Sequence, residues 1–223
     1  MSLQGRRIGA LVHWCISALV LGCFGAGVLG AWCCVQVHAQ ERITNAKLEA
    51  MSGAQGVGRA IRDVASRSTA TWVGYQVPMV ADDGRRLCDG RLPRVFLESA
   101  TTLTVLARLE NGSPARLRLF TPECDIDAGG MPLVWLNDVK PDESVAWLAS
   151  LVTAQPDASR RDPLSTRAIE AIALHATPAA VPQLISLARG TKNADIRKDT
   201  MTWLGRSRDP QALKFLADLL TSK

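Results

Sequence analysis

Histidine is nearly absent from this sequence. Of the three in 223 residues, His13 lies within an apolar N-terminal stretch and His38 directly after it, which leaves His175 alone in the remainder. A lone histidine excludes multi-histidine zinc sites. It also leaves Ser/His/Asp hydrolysis dependent on that one residue, with no recognisable nucleophile motif to serve it. Equally missing is any stripe of Arg and Lys alternating with aromatics. The 26 basic and 21 acidic residues are dispersed, so a nucleic-acid footprint is absent. Charge disappears altogether from Ile8 to Val37, with His13 neutral.

That uncharged run follows Arg6 and Arg7, the layout of an export signal. Val37, His38 and Ala39 precede Gln40 and offer a cut between Ala39 and Gln40, which would make residues 1–39 a signal peptide. The run also exceeds the roughly 20 residues needed to span a bilayer, so an uncut membrane anchor is the alternative. Either way residues 40–223 are expected outside the cytoplasm, in the periplasm or secreted, because the positive charges precede the apolar run. Four of six cysteines (Cys15, Cys23, Cys33 and Cys34) lie in the leader. The remaining pair, Cys88 and Cys124, predicts a disulfide in an oxidising compartment. A cysteine nucleophile is the competing possibility, and His175 is a distant base for it.

Hydrophobic periodicity then divides the chain into an α+β protein. Residues 40–70 are expected to form a helical spacer, with Leu48, Val57, Ile61 and Val64 on one face and glycines fraying its middle. Residues 71–137 switch to the period of strands and predict a small antiparallel sheet. Val73, Tyr75, Val77 and Met79 alternate with Trp72, Gly74, Gln76 and Pro78. Asp82-Asp83-Gly84 marks a turn, and the RRLC stretch ending at Cys88 offers a second short strand. Leu103, Val105, Ala107 and Leu109 alternate before Asn111-Gly112, and Leu117 and Leu119 after it, a pattern that predicts a hairpin with a type I′ turn. Leu133 to Leu136 is the last strand candidate. From Pro141 the period is helical, with Val145, Leu148, Leu151 and Val152 as one stripe, and a polar linker follows that ends at Pro163.

Residues 141–223 are expected to be helical, and the last sixty or so repeat. Superposing Pro178 on Pro210 pairs Ile172 with Leu204, Leu184 with Leu216 and Leu187 with Leu219, a period of 32 residues. Two amphipathic helices per period, split near a proline, are the signature of a helical solenoid. Helices are expected at 164–175, 179–189, 195–206 and 210–221. Their shared core would be Leu164, Ile172, Leu184, Leu204, Leu213 and Leu216. Two units fall short of the usual three, so the helix at 141–153 is expected to complete the stack against the sheet.

In Asp195, Ile196, Arg197, Leu204, Gly205, Asp209, Pro210, Ala212, Leu213, Leu216 and Leu219 the second unit resembles short HEAT-type repeats, the variety also found in phycobilisome lyases. Thr200 and Trp203 depart from that pattern, where small alanines are usual, and Ser165 stands in the first unit where the arginine belongs. The resemblance implies a helical array used as a binding surface; it does not imply bilin chemistry. The segments at 72–78, 122–130 and 132–136 resemble exported bacterial proteins that join such repeats to a short β segment. This second resemblance implies architecture and export.

Candidate sites are few. Asp125 and Asp127 have the oxygens for a hard cation such as calcium, but Gly129 stands where a further ligand is needed and no distal glutamate follows. The alternative is a disulfide-anchored turn. His175, at a helix end just before Thr177-Pro178, suits a cation facing the helix dipole. Trp72, Trp135, Trp147 and Trp203 read as core or junction residues, with Trp203 placed to fill the join between repeats and sheet. No cofactor is expected. The expected partner is another protein, with nucleic acid excluded and membrane contact only through an uncut leader. An enzyme or metal site at Cys88, Cys124, Asp125 and Asp127 is the second hypothesis, and a membrane-tethered regulator the third.

Overall fold

The computed structural model describes residues 42–81, 87–88, 99–154 and 163–221. The leader with Ala39 and Gln40, the Asp82–Gly84 turn, Arg85 and Arg86, and most of the polar linker lie outside the described residues. Among the described residues no helix is long and apolar enough to cross a membrane.

The chain runs β1 (Ile43–Thr44), β2 (Lys47–Ser52), α1 (Val57–Arg67), β3 (Ala70–Pro78), β4 (Thr102–Glu110), β5 (Ser113–Phe120), β6 (Ile126–Asp127) and β7 (Pro132–Asn137). Five helices follow: α2 (Pro141–Thr153), α3 (Pro163–Leu174), α4 (Ala180–Gly190), α5 (Ala194–Arg206) and α6 (Pro210–Thr221). A five-stranded sheet has the order β2-β7-β3-β4-β5, and β1 pairs with β6 beside it.

The expected hairpin is present. Asn111 and Gly112 both have positive φ, 50° and 79°, and join β4 to an antiparallel β5. The sheet as a whole is mixed, which corrects the expectation of an antiparallel one. β7 inserts between β2 and β3 and runs parallel to both. It is covered on both faces, with Leu133, Val134, Trp135 and Leu136 all buried, and a doubly buried strand shows a continuous apolar run rather than alternation.

The helical spacer is a second correction. Only Val57–Arg67 is helical; the first half of the segment is strand β2. Lys47 to Met51 are good helix formers, yet the register Lys47↔Pro132 through Ser52↔Asn137 ties them to β7. Sheet pairing overrides local propensity here. The RRLC strand is not formed at its described residues, since Leu87 and Cys88 are irregular.

The two sheet faces have separate cores. Val73, Tyr75 and Val77 of β3, with Leu103, Val105 and Leu109 of β4, join the apolar sides of the helices. On the other face Leu106, Leu133, Trp135, Phe120, Cys124 and Ile126 pack together with Trp72 against them. Gly74 is required on that second face. A methyl group there would meet Leu106 Cδ2 at 2.5 Å and the Trp135 ring at 2.9 Å.

The helical array follows the expected spans to within a residue or so. Pro141, Pro163 and Pro210 open α2, α3 and α6 at the position where a missing N–H costs nothing. The Asn193 side chain caps α5 by accepting from Asp195 N and Ile196 N, and Asp209 accepts from Gln211 N and Ala212 N of α6. Helix α2 packs on α3 and α4. Ile172 and Leu204, equivalent across the repeat, are both fully buried. Thr200, where alanine is usual, is buried with its hydroxyl donating to Ile196 O at 2.7 Å, which satisfies it inside the helix. One expected core residue is misplaced: Leu213 is 53% exposed and Leu216 only half-buried, while Ala212 and Phe215 point inward.

Candidate functional site

Sheet and repeats meet at the end of β3. Met79 forms a bridge with His175, Val80 N donates to Leu174 O, and Ala176 N donates to Pro78 O, the last two at 2.9 Å. This short antiparallel splice fixes the end of α3 to the sheet.

Below the splice lies a buried polar chain. His175 is 1% exposed, and its Nδ1 lies 2.6 Å from Ala171 O. A carbonyl only accepts, so Nδ1 carries the hydrogen and Nε2 of the neutral ring accepts. Ser144 Oγ, 2.9 Å away, donates to it, and in turn accepts from Tyr75 OH at 2.8 Å. Each polar atom has its partner. Desolvation pushes the His175 pKa down to about 4, despite the opposing backbone hydrogen bond. Burial likewise drives the Tyr75 phenol well above its ordinary value. The expectation of a charged histidine facing the helix dipole is therefore corrected: His175 is neutral and internal. A Ser–His contact this deeply buried, with Tyr75 and Ser144 fully enclosed, is a structural latch between β3, α2 and α3.

The cysteine and aspartate cluster lies on the opposite sheet face. Cys88 and Cys124 are disulfide-bonded, with Cα atoms 5.5 Å apart. Asp125 accepts from Arg42 Nη1 at 3.0 Å, and Asp127 Oδ1 accepts from Asn45 Nδ2 and from Gly129 N. Both carboxylates thus fasten the loop to the segment around β1. Among the described residues no group of three His, Cys, Asp or Glu side chains is arranged to hold a metal ion.

A groove of about 670 Å³ opens where the splice meets the turn between α5 and α6. Val80, Leu174, Val181, Leu184 and Trp203 supply apolar lining; Arg206, Ser207, Arg208 and Asp209 supply polar lining. Trp203 occupies the repeat position of Ala171, which is fully buried in the first unit. The indole is half-buried, lines the groove at the junction rather than filling the join, and carries the Arg206 guanidinium 5.4 Å from its ring centre. Arg208 follows α5 with φ 54°, in the left-handed region where glycine is the usual occupant.

Ser144 and the two arginines were not singled out from sequence, and Tyr75 was read only as an alternating strand residue. Ser144 had a signal, since it stands one turn before Leu148 on the apolar stripe of α2. Trp72 and Trp135 belong to the second core, and Trp147 contacts Tyr75 edge-on at 6.3 Å.

Residues 159–223 match the family model for HEAT repeats. No curated protein and no solved structure matches the chain. The C-terminal helices are HEAT-type repeats, and the β portion lies outside the matched region.

Proposed function

We propose that this chain is an exported, non-enzymatic scaffold whose HEAT-type repeats hold another protein. The observation that carries this is the groove at the junction of sheet and repeats, where a half-buried Trp203 replaces a small residue of the repeat. A large aromatic in a concave, partly apolar surface is the kind of group on which protein interfaces concentrate their energy. HEAT repeats commonly mediate protein–protein contact, which favours the same role.

Export is supported by Arg6 and Arg7 ahead of the uncharged run, and by a disulfide of the kind that persists in oxidising compartments. The competing enzyme or metal site loses its nucleophile to the disulfide, and its aspartates to Arg42 and Asn45. Placing a photo-crosslinking residue at Val181, on the groove wall, tests the scaffold role in intact cells. A discrete adduct from the envelope fraction is expected. Absence of any adduct from there and from other exposed faces of α4 to α6 would refute partner binding, and intact leader-bearing protein in the cytosol would refute export.

A further inference from the structure

The groove has a polarity as well as a shape. Its apolar floor is Val80, Leu174, Val181, Leu184 and Trp203, and two arginines stand at one side. Among the described residues neither Arg206 nor Arg208 has a carboxylate partner; Arg206 only overlies the Trp203 ring. Among the described residues Asp209 is the one acidic group lining the groove, and its carboxylate is engaged with the first turn of α6 through Gln211 N at 2.8 Å and Ala212 N at 3.4 Å. Two guanidinium groups with no carboxylate partner among the described residues, beside an apolar floor, are complementary to a carboxylate placed next to an apolar side chain.

Arg208 supplies an independent observation. It sits at φ 54°, directly after the residue that caps α5. Glycine adopts that conformation freely, whereas a residue with a Cβ is strained there. Folding alone therefore favours glycine. An arginine held in the strained position aims its charge from the turn that lines the groove, and strain of this kind gathers at binding sites.

We infer that the groove binds an extended acidic segment of a partner protein, seating an apolar side chain against Trp203 and a carboxylate between Arg206 and Arg208. This rests on the proposed scaffold role and names the chemistry of its partner. The Arg–carboxylate contacts supply selection by charge, and the apolar floor supplies desolvation around them. Binding is accordingly expected to weaken as salt is raised.

The test uses the full chain in detergent and two libraries of short peptides. One is randomised over Asp, Glu, Leu, Phe and Ser; the other carries Lys and Arg in place of the acids. The acidic library is expected to yield binders that combine a carboxylate with a neighbouring apolar residue. Arg208→Gly should weaken the best of them by roughly tenfold or more, from the loss of one charged hydrogen-bonding partner. The same variant should melt at the same or a higher temperature, because glycine relieves the backbone. That opposition between binding and stability is not expected of a structural arginine. Arg206→Ala should weaken the peptides too, and Trp203→Ala should abolish selection.

Enrichment of the basic library, or binding unchanged in both arginine variants, would overturn the acidic-segment inference. Self-association of the chain that is lost in Trp203→Ala would make a second copy the occupant and overturn it as well. If the crosslinker at Val181 captures a partner while neither library binds, the scaffold role stands and this inference fails. If neither gives a product, both fail.

Discussion

Ser144 places its hydroxyl 2.9 Å from Nε2 of His175, which joins helix α2 to the residue that follows α3. Ser144 also accepts from Tyr75, so one small side chain satisfies two buried groups on two other elements. Ser144→Ala removes both contacts and leaves a phenol and an imidazole nitrogen unpaired in the core. Unsatisfied buried groups cost about 1–3 kcal/mol each, so a loss on the order of 2–6 kcal/mol is expected by urea denaturation. A change within experimental error would show that the chain of hydrogen bonds does not contribute to stability.

His175 gives the fold a pH dependence of defined sign. Its folded pKa, about 4, lies below the ordinary value of 6.5. Between those values the unfolded chain binds the proton and the folded chain does not. Stability is therefore full above about pH 6.5 and falls as pH is lowered toward 4, by on the order of 3 kcal/mol from this group. His175→Gln keeps a hydrogen-bonding side chain without the titration. Its stability should be lower at pH 7 and nearly flat from there to about pH 5, before the carboxylates begin to protonate. Equal slopes in the two proteins would contradict the assignment.

The disulfide makes a third prediction. Cys88 is held to Cys124 across a separation of 36 residues, and Cys124 belongs to the core beneath Trp135. Closing a loop of that length restricts the unfolded chain by on the order of 3–4 kcal/mol. Replacing both cysteines with serine should lower the melting temperature. Peptide mapping without reductant should recover the linked pair from protein taken from an oxidising compartment. Two titratable thiols there would refute it.

The legible parts of this fold are those whose signals are local. Asn111-Gly112 announces its own turn, and Ile172 and Leu204 recur at the same place in each repeat, so hairpin and helices could be located from sequence. Strand β2 could not. Lys47 to Met51 carry helical propensity, and the decision is made by β7, which is remote in sequence. Leu133 to Leu136 gave a strand without its direction, because a fully buried strand has no alternation to reveal its neighbours. The groove was half legible. Trp203 stood out against the repeat pattern, but Val80 and Arg208 come together only when β3 is spliced to α3.

Leu204 and Leu213 show what separates pattern from packing in the repeats. Both occupy apolar positions of the second unit, yet Leu204 is fully buried and Leu213 is 53% exposed. Helix α6 turns Ala212 and Phe215 inward instead, with Arg189 over the Phe215 ring at 5.0 Å. Leu204→Ala leaves a cavity in a core shared by α3 to α6 and should cost roughly 2–5 kcal/mol. Leu213→Ala removes surface that is already wet and should change stability by no more than about 0.5 kcal/mol. Phe215→Ala should resemble Leu204→Ala, at about 3–5 kcal/mol. Thermal denaturation of the three variants ranks them directly. If Leu213→Ala proved as damaging as Leu204→Ala, α6 would have to be rotated about its axis, with the leucine stripe facing the array and Phe215 facing water.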